Sequence, residues 1–562
     1  MHTAGSVYDR TAIRLAACAT GMLLAACVPA DSGPSQTSFA AAGISAQAFA
    51  GHVRTLSSDA FEGREPSSPG ERKTVEYIRD RFIELGLEPG AAGSWFQDVP
   101  LVKITAGTDA HLVIDGDGSR LEPGYKRDMV VWTKRVTEAA SIDRSELVFV
   151  GYGIVAPEYG WDDYAGVDMR GKTAVILVND PGYATGDPAF FTGRAMTWYG
   201  RWTYKFEEAA RQGAAGALIV HEETAAGYPW EVVSGSWTGP QFDLVTADGN
   251  ESRAAIEGWI SREAAGRLFA AAGRDFADAR AAAARRGFRA TPLGLRASAA
   301  VENTVEKATS RNVIGVLPGS ERPEEAILYL AHWDHLGRDE TLEGDQIYNG
   351  ALDNATGVAA VLELARAFAG LPEPQRSIVF LAVTAEESGL LGSAWYAEHP
   401  PFPLATTVAA INIDRMSMLG ETRDVTVIGY GSSELETYLA RAAAAQGRRL
   451  EPEPTPEKGY FYRSDHFNLS RRGVPVLYTK GGIDHVAKGK AWGARQEAAY
   501  TAERYHKPGD EFDPSWDFSG AVADIEMLFA VGRQLSAETG FPNWHEGSEF
   551  RAIRERSRAE LD

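Results

Sequence analysis

Residues Ala326-Ile-Leu-Tyr-Leu-Ala331 run without a charge and are followed at once by His332-Trp-Asp334-His335. An unbroken apolar run of that length predicts a strand buried on both faces, the kind that occupies a parallel sheet covered by helices. Four more runs share the character: 313–317, 377–383, 407–413 and 475–479. Between them, Gly357 to Ala369 and Glu434 to Gln446 carry apolar residues at helical spacing. The alternation predicts an α/β fold with a mixed, largely parallel central sheet flanked by helices.

The polar residues that close these runs are the next clue. His332, the pair Glu386-Glu387 and Asp414 follow three of the strands directly, at the carboxyl ends where open α/β sheets build their sites. Asp353-Asn354 sits in a turn before a helix, and Tyr505-His506 comes later. Each piece alone has an ordinary reading. A histidine at a strand end is commonly structural, Asp353 could cap a helix, and adjacent glutamates are usually solvated. Together they supply two imidazoles, a carboxylate able to bridge, two terminal carboxylates and one to spare. That is the donor set for two hydrolytic zinc ions about 3.5–4 Å apart, with a general base. Asp414 at the end of an apolar strand strengthens the case, because an uncompensated carboxylate there would be costly. Asp334 can orient His332 from two residues away. Spacing does not choose the second imidazole among His466, His485 and His506, and His335 reads as packing or an outer contact.

Earlier in the chain, helical spacing begins at Ser45 with Phe49, Val53 and Leu56, and recurs from Gly70 to Gly86. Segment 144–295 holds short apolar runs at 147–154, 173–178 and 215–220, helical spacing at 206–212, and an Ala- and Arg-rich helical stretch from Arg262 to Arg286. It carries no matched metal ligands. We therefore expect 45–143 and 296–545 to form one domain, 144–295 an insert, and 546–562 a charged tail.

At 562 residues the chain is long enough for two or three domains. Its 44% hydrophobic and 24% charged content is that of a globular protein. A net charge of −21 with no basic stripe argues against a nucleic-acid partner. Residues 1–26 read as an export signal, with Arg10 and Arg14 before a short apolar stretch. The ending Leu24-Ala-Ala-Cys27 resembles a bacterial lipobox, so Cys27 is the expected lipid anchor and the cell envelope the expected location. Leu15-Ala-Ala-Cys18 mimics it with almost no apolar stretch ahead. Residues 27–44 suit a flexible tether. The only other cysteine is Cys18, so a mature chain would hold no disulfide and no catalytic thiol.

The ligand segments resemble those of the co-catalytic di-zinc exopeptidases of peptidase family M28. The carriers are Ala331-His-Trp-Asp-His335, Asn349-Gly-Ala-Leu-Asp-Asn354, Thr384-Ala-Glu-Glu387, Asn412-Ile-Asp414 and Tyr505-His-Lys-Pro508. Arg463-Ser-Asp-His-Phe467 and Leu56 to Arg64 extend the likeness. The resemblance implies that His332, Asp353 and Asp414 hold one zinc, and that Asp353, Glu387 and His506 hold the other, with Asp353 bridging. It implies Glu386 as general base, Asp334 as the residue orienting His332, Tyr505 as a candidate oxyanion donor, and a cis peptide after Asp353. The stretch with Gly151-Tyr-Gly153 and Gly213 to Leu218 resembles a β-rich protease-associated domain. A related di-zinc family carries a lid domain between its later ligands, for which Asp414 and His506 are too close. The implied activity is an aminopeptidase acting on peptides. Alternatives are a carboxypeptidase, for which only Arg415 and Arg463 stand near as cations, a transferrin-receptor-like binding protein, and a single-zinc glutaminyl cyclase-like enzyme.

Overall fold

The computed structural model describes residues 43–116 and 118–561. The expected leader, Cys27 and most of the expected tether lie outside the described residues. The feature that organises the rest is one strand of 27 residues, Thr291–Leu317, which serves two sheets. Its first half pairs antiparallel with Ala139–Phe149 and His111–Gly116. Its second half pairs antiparallel with Phe96–Ala106 and Arg376–Val383.

Beyond Arg376–Val383 the first sheet continues with Arg322–His332, Thr407–Asn412 and Val476–Gly481, all mutually parallel. Asp424–Val427 then joins antiparallel and Arg449–Pro452 follows it. The uninterrupted apolar runs have a direct cause, since successive side chains of a strand point to opposite faces and both faces are covered. Ile327, Tyr329 and Ala331 pack with Phe49, Phe82, Val361, Phe368 and Leu528, which lie on helices Ala46–Leu56, Pro69–Glu84, Thr356–Ala369 and Ser519–Ala537. Leu328 and Leu330 face the other way, against Val379, Leu381, Tyr396 and Trp544. The first two of those helices start where the side chains of Ser45 and Ser68 accept from Ala48 and Glu71 N–H.

The second sheet has its own apolar cores, including Leu112, Ile114, Met129, Val131, Leu147, Val175 and Leu218. It therefore begins at His111, ahead of the boundary expected at 144. Strands His111–Gly116, Ser119–Leu121 and Met129–Trp132 are only six, three and four residues long, too short to stand out as runs. Strand Pro240–Leu244, inside the expected insert, pairs with Phe96–Ala106 of the first sheet. The helical stretch expected from Arg262 to Arg286 forms two helices, Arg262–Ala271 and Phe276–Ala283, separated at Gly273, whose φ of 66° suits glycine. The charged tail is docked as helix Arg551–Ala559, because buried Arg554 donates to the Leu404 and Thr407 carbonyls.

Phe380 lies at the centre of the first sheet, stacked on Tyr329 with ring centroids 6.0 Å apart and flanked by Phe82 and Phe368. Phe380→Ala is expected to cost about 3–5 kcal/mol, read from the denaturant midpoint. A loss under about 1 kcal/mol would show that this core can close over the cavity.

Candidate metal centre

The parallel register brings the ligand-type residues together. His332 ends its strand opposite Val383, three residues before Glu386, while Leu330 pairs with Asn412, two residues before Asp414. The Asp353 turn supplies the middle of the group. One carboxylate oxygen of Asp353 is 3.3 Å from His332 Nε2, and the other is 3.3 Å from His506 Nε2. His332 Nε2 is also 3.7 Å from Asp414, and His506 Nε2 is 3.1 Å from Glu387. Asp353 thus stands between two imidazoles, one oxygen toward each. The Asp353–Asn354 peptide is cis.

Neighbouring segments hold these loops in place. Buried Arg64 donates to the carbonyls of Leu56, Trp333, Asn349 and Gly350 at 2.6–2.9 Å, which ties the His332 and Asp353 loops to the N-terminal helices. The Asp510 carboxylate accepts from the backbone N–H groups of Leu352 and Asp353. Asn354 donates to the Ile413 carbonyl and accepts from the N–H of Gly357 and Arg415, linking the Asp353 turn to the end of the Asp414 strand. Asp334 does something the two-residue spacing did not suggest. Its carboxylate accepts from the backbone N–H groups of Glu386 and Glu387 at 3.1 and 3.3 Å. The His332 Nδ1 lies nearer the Asp334 carbonyl oxygen, at 3.2 Å, than the carboxylate, at 3.7 Å.

The charges respond strongly to this crowding. Burial opposes ionisation of Asp353, yet hydrogen bonds from His332 and His506 win and hold its carboxyl well below the usual range. Against the same penalty, His506 and His335 bring Glu387 down to about 2. Burial would discharge His506, but Glu387 and Asp353 raise it to about 10. Glu386 behaves oppositely: burial first, then Glu387, Asp414 and Asp465, push it well above the carboxylate range despite His332. Burial also lifts Asp334 to about 7. Positive charge is what this group of acids demands.

Three overlapping triads have donor atoms close enough to hold a metal ion: His332 with Asp353 and Asp414, His335 with Asp353 and Glu387, and His332 with Glu386 and Glu387. The donors, carboxylates and imidazoles, are those zinc accepts. The second triad contains His335, which its sequence context reads as packing. Its Nδ1 is 2.6 Å from Glu387, and its buried Nε2 has no partner among the described residues. His335 and His506 therefore converge on Glu387 from two sides. The other histidines stand apart from the triads. His466 is buried against Asn412, its pKa lowered to about 3 by burial, and the Nδ1 of His485 accepts from the N–H groups of Ala487 and Lys488. The Tyr505 ring stacks on His506 with centroids 3.9 Å apart and is 44% exposed.

Residues 312–530 match Peptidase family M28. The chain is 34% identical over 129 residues to the aminopeptidase NAALADL1 of Mus musculus, covering 22% of this chain and 16% of that one. It is 37% identical over 245 residues to a probable zinc metalloprotease of Pyricularia oryzae, covering 41% and 48%. The aligned region thus spans less than half of either relative. Among solved structures, an aminopeptidase from Aneurinibacillus sp. strain AM-1 superposes with a TM-score of 0.50 at 22% identity, covering 88% of this chain and 94% of that one. That likeness shows a shared fold.

Arg64→Met would leave four buried carbonyls without their donor. We expect a stability loss of roughly 3 kcal/mol or more, measured by denaturant midpoint. A change under about 1 kcal/mol would mean that the loops are held by other contacts.

Proposed function

With residues 312–530 forming a peptidase M28 family domain, we propose that the chain is a zinc-dependent exopeptidase that releases residues from the amino terminus of peptides. His332, Asp353 and Asp414 hold one ion. Asp353, Glu387 and His506 hold the other, with Asp353 shared and His335 supporting Glu387. Zinc ions bound there supply Lewis acidity, acidifying water and polarising a scissile carbonyl.

The remaining chemistry belongs to Glu386, and this residue carries the reading. Its carboxylate makes no hydrogen bond or ion pair among the described residues, although it is within the electrostatic reach of His332, Glu387 and Asp414. A free carboxylate whose proton affinity is raised by burial can take a proton from attacking water and return it to the leaving amine. Asp334 fixes the turn that aims it, through the two N–H groups already described. On this reading Tyr505, exposed beside His506, donates to the developing oxyanion. The surplus of carboxylates suits a substrate that presents a free ammonium group, and the NAALADL1 and Aneurinibacillus proteins, both called aminopeptidases, support that choice. The second sheet is read as a protease-associated insert bordering the substrate path.

Glu386→Gln is expected to lower kcat by roughly 10²–10⁴ while zinc content is unchanged. Amino-acid p-nitroanilides should be cleaved, and N-acetylation should abolish cleavage. Near-full activity of the variant would remove Glu386 as the base. Cleavage confined to N-blocked peptides with free carboxyl ends would make the enzyme a carboxypeptidase.

A further inference from the structure

Most buried arginines in this fold give their charge to the protein. Arg64 serves four carbonyls. Arg376 is paired with Glu325 and donates to the carbonyls of Leu535, Thr539 and Gly540. Arg415, a cation close to the ligand segments, is paired with Glu497 and lies over Tyr500.

Two arginines beside the metal centre differ. Arg201, at the start of helix Trp202–Arg211, is 8% exposed, and its guanidinium makes no hydrogen bond or ion pair among the described residues. Its nearest aromatic contact is the Trp202 ring at 5.7 Å. Arg463 directly precedes Ser464, whose hydroxyl accepts from Asn412, two residues before Asp414. It also joins no ion pair among the described residues. Its Nε is buried without a partner, and its only side-chain hydrogen bond runs from Nη2 to the Ala226 carbonyl at 3.2 Å. Its guanidinium faces the rings of Tyr228 and Tyr460 at 5.5 and 5.6 Å. The two cations sense each other: burial and then Arg463 lower Arg201 to about 9, opposed by Tyr228 and by Glu386. Arg201 directly follows the Trp198–Gly200 turn, and the Trp198 ring packs on Phe467 at 4.7 Å and Tyr462 at 6.3 Å, which brings Arg201 beside the segment that carries Arg463.

Holding a buried Arg201 and a half-buried Arg463 close together with one carbonyl acceptor between them and no counter-charge paired to either is unfavourable. The arrangement is completed by an anion, and paired guanidinium groups match a carboxylate in geometry and charge. We propose that Arg201 and Arg463 form a carboxylate-binding subsite, which holds an anionic group of the peptide substrate away from its amine end, with Tyr228 and Tyr460 as walls. The anion is either the free C-terminal carboxylate of a short peptide or an acidic side chain. The proposal rests on the exopeptidase reading for the identity of the substrate.

The test compares the zinc-loaded full chain on Leu-Ala and Leu-Ala-amide, and on Leu-Glu-amide and Leu-Gln-amide. The wild type is expected to favour the carboxylate member of at least one pair by about ten- to hundredfold in kcat/KM, the range of a charge-assisted contact. Preference in the first pair identifies the terminal carboxylate, and preference in the second the side chain. Arg201→Met and Arg463→Met should each shrink that ratio toward one, mainly through KM. Added guanidinium ion should restore part of it in Arg201→Ala. A purely structural role would instead lower both members of a pair alike, and equal wild-type rates within both pairs would likewise overturn the subsite. Calorimetric binding of the same four compounds to the Glu386→Gln chain makes the comparison without turnover. Absence of hydrolysis together with a retained carboxylate preference in binding would then count against the exopeptidase reading alone.

Discussion

Six carboxylates, those of Asp334, Asp353, Glu386, Glu387, Asp414 and Asp465, meet at the carboxyl edge of one sheet with three imidazoles among them. Like charges at such range in a poorly solvated site repel strongly, and the group resolves this unevenly. Asp353, Glu387 and Asp414 stay ionised by leaning on His332 and His506, whereas Asp334, Glu386 and Asp465 are driven upward by burial. On the proposed reading this division matches a division of labour, in which the first set would offer lone pairs to cations and Glu386 in the second would move a proton.

The rest of the fold serves to keep that group assembled. Strands buried on both faces fix where His332, Glu386 and Asp414 emerge, because a slip in register would turn core residues out of both helical layers at once. The loops beyond the strands have no such register to hold them. Arg64, Asp510 and Asn354 take over there, each spending several hydrogen bonds on backbone groups near Asp353. A single long strand, Thr291–Leu317, carries the second sheet alongside and with it Arg201.

Much of this was legible in the amino-acid order. The apolar runs showed the strands because two-sided burial leaves no place for polar residues, and His332, Glu386, Glu387 and Asp414 were conspicuous for ending them. His506 was different: it follows no strand, lies in a turn with φ of 55°, and was singled out from His466 and His485 only by resemblance. His335 read as packing because nothing local reveals that its ring reaches Glu387. Arg201 and Arg463 could not be paired from sequence, since they lie 262 positions apart on separate segments and the informative fact is an absent partner. The second sheet's true start at His111 was hidden for a simpler reason. Its first strands are short and satisfy their edges by pairing with residues nearly two hundred positions later.

If two cations sharing Asp353 compensate this buried negative charge, stripping the full chain with a chelator, reloading it with zinc and counting metal by elemental analysis should give two zinc ions per chain in the wild type and substantial loss of both in Asp353→Ala. One zinc per chain, or retention of both in the variant, would contradict it.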